Sequence, residues 1–406
     1  MQLYLQLIKR YPAFLLFGFI ATFASSFGQT FFIGLFNDSL RASHDLSYGE
    51  FGSLYAAATF IGGVLLMRIG GKLDQVPLAA FTSFTFVGLA MAALLASWNA
   101  HVVMLFVAIA GLRLFGQGFM GHVAMTSMAR YFGANRGKAV AVAAMGFPLG
   151  EATLPIIMVV LVAAIGWSAP WLLVAGLLLV LWPLMLKLQR YKPEITATTT
   201  SGNETEHVQL ALRQRDLVRD PRFLAVVPAL LGLPFIVTAL LFNQLWLADQ
   251  QSWSVAAVAG GLIVFSVTRV TVSLIAGNMI DQIGSDKLIG ANILPATLGV
   301  SLLLVIDNVM GWWLFLGLAG FSAGINAAIS GTIWAELYGI QRLATVRALY
   351  HALMVFSTAL SPLIMGLMID AGYQMDTIMM LFTLILLLAW LNAQRLTGAS
   401  KRANSA

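Results

Sequence analysis

Uninterrupted apolar blocks of about 20 residues recur along the whole chain, and they limit its fold more than any other feature. A block of that length crosses a hydrocarbon core roughly 30 Å thick as a helix. Lipid offers no hydrogen-bond partner for backbone groups, so a spanning chain must be helical or a closed barrel. The blocks do not alternate apolar and polar residues, which argues for helices. Composition agrees: 59% of the 406 residues are hydrophobic and 10% are charged, with a mean hydropathy of +0.86. Soluble domains carry roughly 25% charged residues, so a chain this poor in charge could not cover itself against water.

The blocks place twelve helices at about 11–36, 48–70, 77–98, 102–128, 138–164, 168–187, 223–248, 255–278, 287–306, 311–336, 344–369 and 377–395. The expected organisation is a six-helix bundle over 1–190, a cytoplasmic linker over 191–221, a second bundle over 222–396 and a tail over 397–406. Lys9, Arg10, Arg68, Lys72, Arg130, Arg136, Lys138, the stretch Lys187 to Arg222, Lys287, Arg342, Arg347 and the tail all fall on one side of these helices, and the opposite loops carry only Arg41. This positive-inside bias sets both termini in the cytoplasm and the chain as multi-pass in the cytoplasmic (inner) membrane. It also accounts for the net charge of +6 and the pI near 9.6 without nucleic acid. The first block follows Lys9 and Arg10, is too long for a signal peptide and lacks a small-residue cleavage site, so it reads as a retained membrane helix. With no cysteine there is no disulfide or thiolate metal site. Walker A, HExxH and GxSxG motifs and metal clusters are missing, so hydrolysis, ATP-driven pumping and a cofactor have no support.

Within the linker, Thr196 to Asn203 is flexible by composition. After it, Val208, Leu210, Leu212 and Leu217 mix with Arg213, Arg215, Arg219 and Arg222, which suits either a short surface helix or an unstructured connector. Asn203-Glu204-Thr205 is a formal glycosylation acceptor, irrelevant on the cytoplasmic side.

The two halves repeat each other at a nearly constant offset. Gly70-Gly71-Lys72-Leu73-Asp74 matches Gly277-Asn278-Met279-Ile280-Asp281, with the aspartates 207 residues apart. Gly133 and Arg136 match Gly339 and Arg342 at 206, and Pro155 matches Pro362 at 207. Internal repeats of this kind mark transporters whose halves rock around a midplane site. The loop aspartates, with Gly70, Gly277, Arg136 and Arg342, read as conformational latches: an aspartate near a helix end holds a basic group or a neighbouring helix N-terminus.

Ionisable residues deep in a membrane are costly and functional candidates by default. Arg269 lies twelve residues before Asp281, roughly 18 Å from the cytoplasmic end. Arg113 lies at similar depth in the fourth helix, and Glu151 is roughly 20 Å into the fifth. Their repeat counterparts are Gly62, Gly320 and Thr358, so the shared scaffold does not require them. An arginine holds a carboxylate through two parallel hydrogen bonds, which makes Arg269 and Arg113 candidate anchors for an anion. Glu151 is expected to pair with Arg113, either as a fixed ion pair or as a group that exchanges protons. His122 and His351 are further proton-carrier candidates, and Arg347 reads as an anchor at the cytoplasmic end. Gln29, Tyr55, Gln117, Asn243, Gln244 and Asn326 are uncharged polar positions inside helices, some expected to line a cavity. Gly146-Phe147-Pro148-Leu149-Gly150 is a small-xxx-small pattern with a proline, suited to close packing and a kink.

The repeated Gly-x-x-x-Asp loops, Arg113 followed by Gly116 and Gly118, and the Gly146–Gly150 pattern resemble the major facilitator superfamily over essentially the whole chain. The first loop departs from the family signature after Gln75, where Val76-Pro77 replace glycine and basic residues. Gly146 to Met158, Thr268-Arg269-Val270 and Trp334 to Gly339 look like its monocarboxylate-porter and oxalate/formate-antiporter branch. In that branch a helix-8 arginine matching Arg269 receives the substrate carboxylate. Phe265 stands where many monocarboxylate members have aspartate, no lysine is present in helix 1, and helix 11 offers Arg347 and His351 in place of lysine. The resemblance implies an all-α membrane protein of two pseudo-symmetric six-helix bundles, a monomer that is not an enzyme. The expected activity is alternating-access transport of a small organic anion, a monocarboxylate, by proton symport or by antiport of an exchanged anion. The alternatives are an exporter of drugs or hydrophobic metabolites and a non-transporting membrane sensor.

Overall fold

Every regular element among the described residues, 2–98, 100–193, 214–339 and 342–404 of the computed structural model, is helical. A surface helix, Gln2–Arg10, precedes α1, a bent pair Pro12–Gly28 and Thr30–Ala42. Then follow α2 (Tyr48–Asp74), α3 (Leu78–Ser97), α4 (Val102–Phe132), α5 (Arg136–Ile165) and α6 (Ala169–Tyr191). The later helices are α7 (Pro221–Phe242, continued by Gln244–Gln250), α8 (Val255–Ile283), α9 (Ser285–Leu302), α10 (Val309–Tyr338), α11 (Leu343–Asp370) and α12 (Met375–Asn404). Ten of these elements are long and apolar enough to cross a membrane, the bent α1 is an eleventh, and Lys287–Leu302 in α9 is a shorter apolar helix. Linker residues 194–213, with the threonine run, the glycosylation acceptor and most of the amphipathic stretch, lie outside the described residues, which resume in the short helix Gln214–Leu217. At the tail, α12 runs on to Asn404, past the expected end of the last span near 395.

Packing divides the chain into two compact units. One comprises 1–195 with 238–266 and 359–374; the other comprises 196–237, 267–358 and 375–406. The first unit therefore takes in the end of α7, the start of α8 and the end of α11. Glycines make its close approaches possible. A Cβ on Gly146 would sit 2.2 Å from the Thr22 hydroxyl, and one on Gly150 would sit 2.1 Å from the Ser26 hydroxyl. Thus the two small residues of α5 meet two hydroxyl residues of α1, each pair one turn apart. Thr22 Oγ1 donates to the Ala143 carbonyl at 2.5 Å, which ties the same crossing.

In the second unit, the prolines of α7 account for two asparagines. Proline has no N–H for the carbonyl four residues earlier, and lipid cannot replace that donor. Pro234 leaves the Leu230 carbonyl, which accepts from Asn326 Nδ2 of α10 at 3.3 Å. Pro228 leaves the Leu224 carbonyl, which accepts from Asn392 Nδ2 of α12 at 2.8 Å. Asn292 of α9 completes the set by donating to Asn326 Oδ1 at 3.2 Å.

Candidate functional site

The bend in α1 and a widened turn in α4 are built against each other. The helix of α1 stops at Gly28, Gln29 is extended (φ −82°, ψ 154°), and the two pieces differ in direction by 46°. Facing the break, Leu112–Met120 of α4 is π-helical, a form that recurs at functional sites. Gly28 and Gly116 touch backbone to backbone: a Cβ on Gly28 would lie 2.1 Å from the Leu112 oxygen. The break leaves helix-end carbonyls without helical donors. Arg113, from the π-helical turn, donates through Nη1 to the Gly28 carbonyl at 3.0 Å. Its Nε donates to Thr59 Oγ1 at 3.1 Å, and Nη1 also reaches Thr30 Oγ1 at 3.4 Å. Thr30 and the Tyr55 hydroxyl are 2.6 Å apart, and the guanidinium carbon lies 5.1 Å from the Tyr55 ring centroid. Arg113 is 4% exposed and Tyr55 fully buried. A cation at the C-terminal end of a helix also meets the negative end of its dipole.

The expected Arg113–Glu151 pair does not form, because Arg113 is committed to the helix break. Glu151 follows Gly150 on α5 and is 7% exposed. Its Oε2 accepts from Ser266 Oγ of α8 at 3.0 Å. Arg269, half-buried, is three residues beyond Ser266 on α8, so the two positions share a helix face. At Arg269 the backbone is approached closely by α10: a Cβ on Gly324 would lie 2.8 Å from the Arg269 oxygen.

The other polar candidates separate. Tyr55 joins the Arg113 cluster, whereas Asn326 uses both ends of its amide on the second unit's scaffold. Asn243, at the break in α7, donates to its own helix at Ala239 O, 3.0 Å. Gln244 donates to the Phe31 carbonyl of α1 at 3.2 Å. Gln29 donates to Ser25 Oγ at 3.2 Å, and Gln117 is exposed on the π-helical turn. His351 is exposed, one turn beyond Arg347, whose guanidinium donates to the Gly331 carbonyl.

The latch residues resolve differently in the two halves. Asp74 pairs with Arg130 of α4 rather than with Arg136, which is exposed. His122 Nε2 lies 3.0 Å from the Gly70 carbonyl and Thr126 Oγ1 lies 3.4 Å from His122 Nδ1. His122, Thr126 and Arg130 are spaced by four, so one stripe of α4 grips the Gly70–Asp74 segment. Beyond its place on the basic side, the signal in the sequence for Arg130 was its eight-residue, two-turn spacing from His122. In the second half, Glu336 sits 206 residues after Arg130. Its Oε1 accepts from Ser285 Oγ at 2.7 Å, at the first residue of α9, and Thr332 Oγ1 lies 2.7 Å from the same hydroxyl. There a carboxylate meets a helix N-terminus, where the first half has an ion pair. Gly277 and Asp281 lie within α8, with the Asp281 side chain outside the described residues, and Arg342 is exposed just before α11.

Comparison with known proteins supports the same fold. The profile of the Major Facilitator Superfamily matches residues 18–267. A bacterial homologue of the human lysosomal transporter Spinster, solved in an inward-facing and unoccupied conformation, is similar with a TM-score of 0.75 at 12% identity, over 96% of this chain and 98% of that one. The nucleoside transporter NupG is similar with a TM-score of 0.69 at 14% identity, over 95% and 99%. No curated protein sequence matches the chain.

Proposed function

The chain belongs to the Major Facilitator Superfamily, and from that premise we propose that it carries a small organic anion, a monocarboxylate, across the cytoplasmic membrane by proton coupling or anion exchange. The proposed working parts are the halves 1–190 and 222–396, in a monomer with both termini cytoplasmic. Arg269 is the proposed anchor for the substrate carboxylate and Glu151 the proposed proton-exchanging group. The observation that supports this most is the buried Glu151 carboxylate bonded to Ser266, one helical turn from Arg269. A carboxylate that gains and loses a proton during the cycle changes the charge of the protein between loaded and empty states. In this reading Arg113 and Tyr55 shape the neighbouring helix break, and His122 and His351 are secondary proton-carrier candidates.

Uptake of labelled monocarboxylates into proteoliposomes, with and without an imposed pH gradient, tests it. Arg269→Lys keeps the charge and loses the bidentate fork, so transport falls by roughly a hundredfold. Equal transport by Arg269→Lys would rule out the anchor.

A further inference from the structure

Asp370, the last residue of α11, joins segments from opposite ends of the sequence within the first compact unit. Its carboxylate accepts from the backbone N–H of Tyr48 at 3.0 Å and of Gly49 at 2.7 Å, the first two residues of α2. N–H groups of a first helical turn have no partner inside their own helix and carry the positive end of its dipole. The cap of α2 does not serve them: Ser47 and Glu50 satisfy each other's N–H groups in a capping box. Tyr48 and Gly49 are left to Asp370.

Glycines bring the two backbones together around this carboxylate. A Cβ on Gly366 would lie 2.4 Å from the Tyr48 oxygen, and one on Gly52 would lie 2.7 Å from the Leu363 Cα. Behind the contact, Phe51 stacks on Phe242 at 5.3 Å and the Tyr55 ring centroid lies 4.5 Å from that of Phe242. Tyr55 is the ring under Arg113, so the contact is continuous with the bend of α1.

We propose that Asp370 is a releasable latch that holds the start of α2 against the end of α11 and sets how often this end of the transport path opens. The inference rests on family membership and not on the identity of the substrate. Both of its hydrogen bonds run to main-chain donors in a fixed orientation, so a small separation breaks them together. Asp370 is exposed, and water is at hand to take up the carboxylate and the N–H groups when they part. A carboxylate buried as deeply as Glu151 would leave a large desolvation penalty in place of a switch. The glycine-lined surface parts without unlocking interdigitated side chains.

The chain has no cysteine, so Ser53→Cys and Tyr373→Cys, both at exposed positions, report alone. Nitroxide labels at these sites give the α2–α11 distance by pulsed EPR in nanodiscs. Asp370→Ala raises the ratio of long to short distances roughly tenfold, the loss expected for two charge-assisted bonds partly replaced by water. Gly366→Ala keeps the charge, pushes the Tyr48 carbonyl away and moves the ratio the same way. Asp370→Asn keeps one acceptor oxygen and gives an intermediate ratio, which carries the test with Gly366→Ala if Asp370→Ala does not fold. Superimposable distributions for all variants that keep the helical circular dichroism of the parent would overturn the latch.

Discussion

Arg113 and Arg269 both interrupt apolar helices, and the packing puts them to different use. Arg113 is 4% exposed and divides its donors among the Gly28 carbonyl, Thr59 and Thr30. Arg269 is half-buried on a regular stretch of α8, in register with Ser266. The difference lies in the neighbouring backbone. A broken helix needs a donor for its last carbonyls, and α1 breaks where α4 passes; α8 runs unbroken past Arg269. A cation in lipid is therefore not by itself a binding residue. One of these two is the price of a bend.

The sharpest way to break the comparison is to remove each arginine in turn. Arg113→Ala leaves the Gly28 carbonyl and two hydroxyls without their donor, and should cost about 3 kcal/mol of stability, read from thermal unfolding in detergent. Arg269→Ala takes no donor from a helix break, so its loss in the same assay should be smaller than that of Arg113→Ala. Equal losses would mean that both are scaffold. Next in size, Glu151→Gln keeps an acceptor for Ser266 but holds no exchangeable charge. It should lower uptake driven by a pH gradient by roughly tenfold and leave substrate counterflow intact; loss of counterflow as well would assign Glu151 to the scaffold beside Arg113. Asn392→Ala removes the donor to the carbonyl freed by Pro228 and should destabilise by about 1 kcal/mol. It should do so less when Pro228→Ala restores the helical N–H, and a double-mutant cycle measures that coupling. The smallest effect belongs to Asp74→Asn. Asp74 is 69% exposed beside Arg130, so the loss is at most about 0.5 kcal/mol and vanishes at high salt.

Spans of this length and apolarity are legible because lipid permits few alternatives, and the helices fall where the apolar blocks do. The repeat placed the loop aspartates and prolines in equivalent positions for the same reason: spacing survives without coordinates. The Gly146–Gly150 pattern announced a close approach, though not that Thr22 and Ser26 of α1 would meet it. Partners were less legible. Pairing Arg113 with Glu151 followed from charge alone, and the packing overruled it because the break at Gly28 competes for the same guanidinium. A proline inside a helix frees a carbonyl, but nothing local marks Asn392 and Asn326 as the donors at Pro228 and Pro234, since they lie 168 and 96 residues away from the carbonyls they serve.

The apolar blocks, the basic side and the two-fold repeat follow from the residues themselves, because each depends on local composition and on what a bilayer tolerates. They also required that Arg113, Glu151 and Arg269 be accommodated inside the membrane. Who accommodates them depended on the packing. A hydrogen bond reaches only about 3 Å, and a helix face, a broken turn or a glycine contact that brings two groups within that reach exists only once the helices have met.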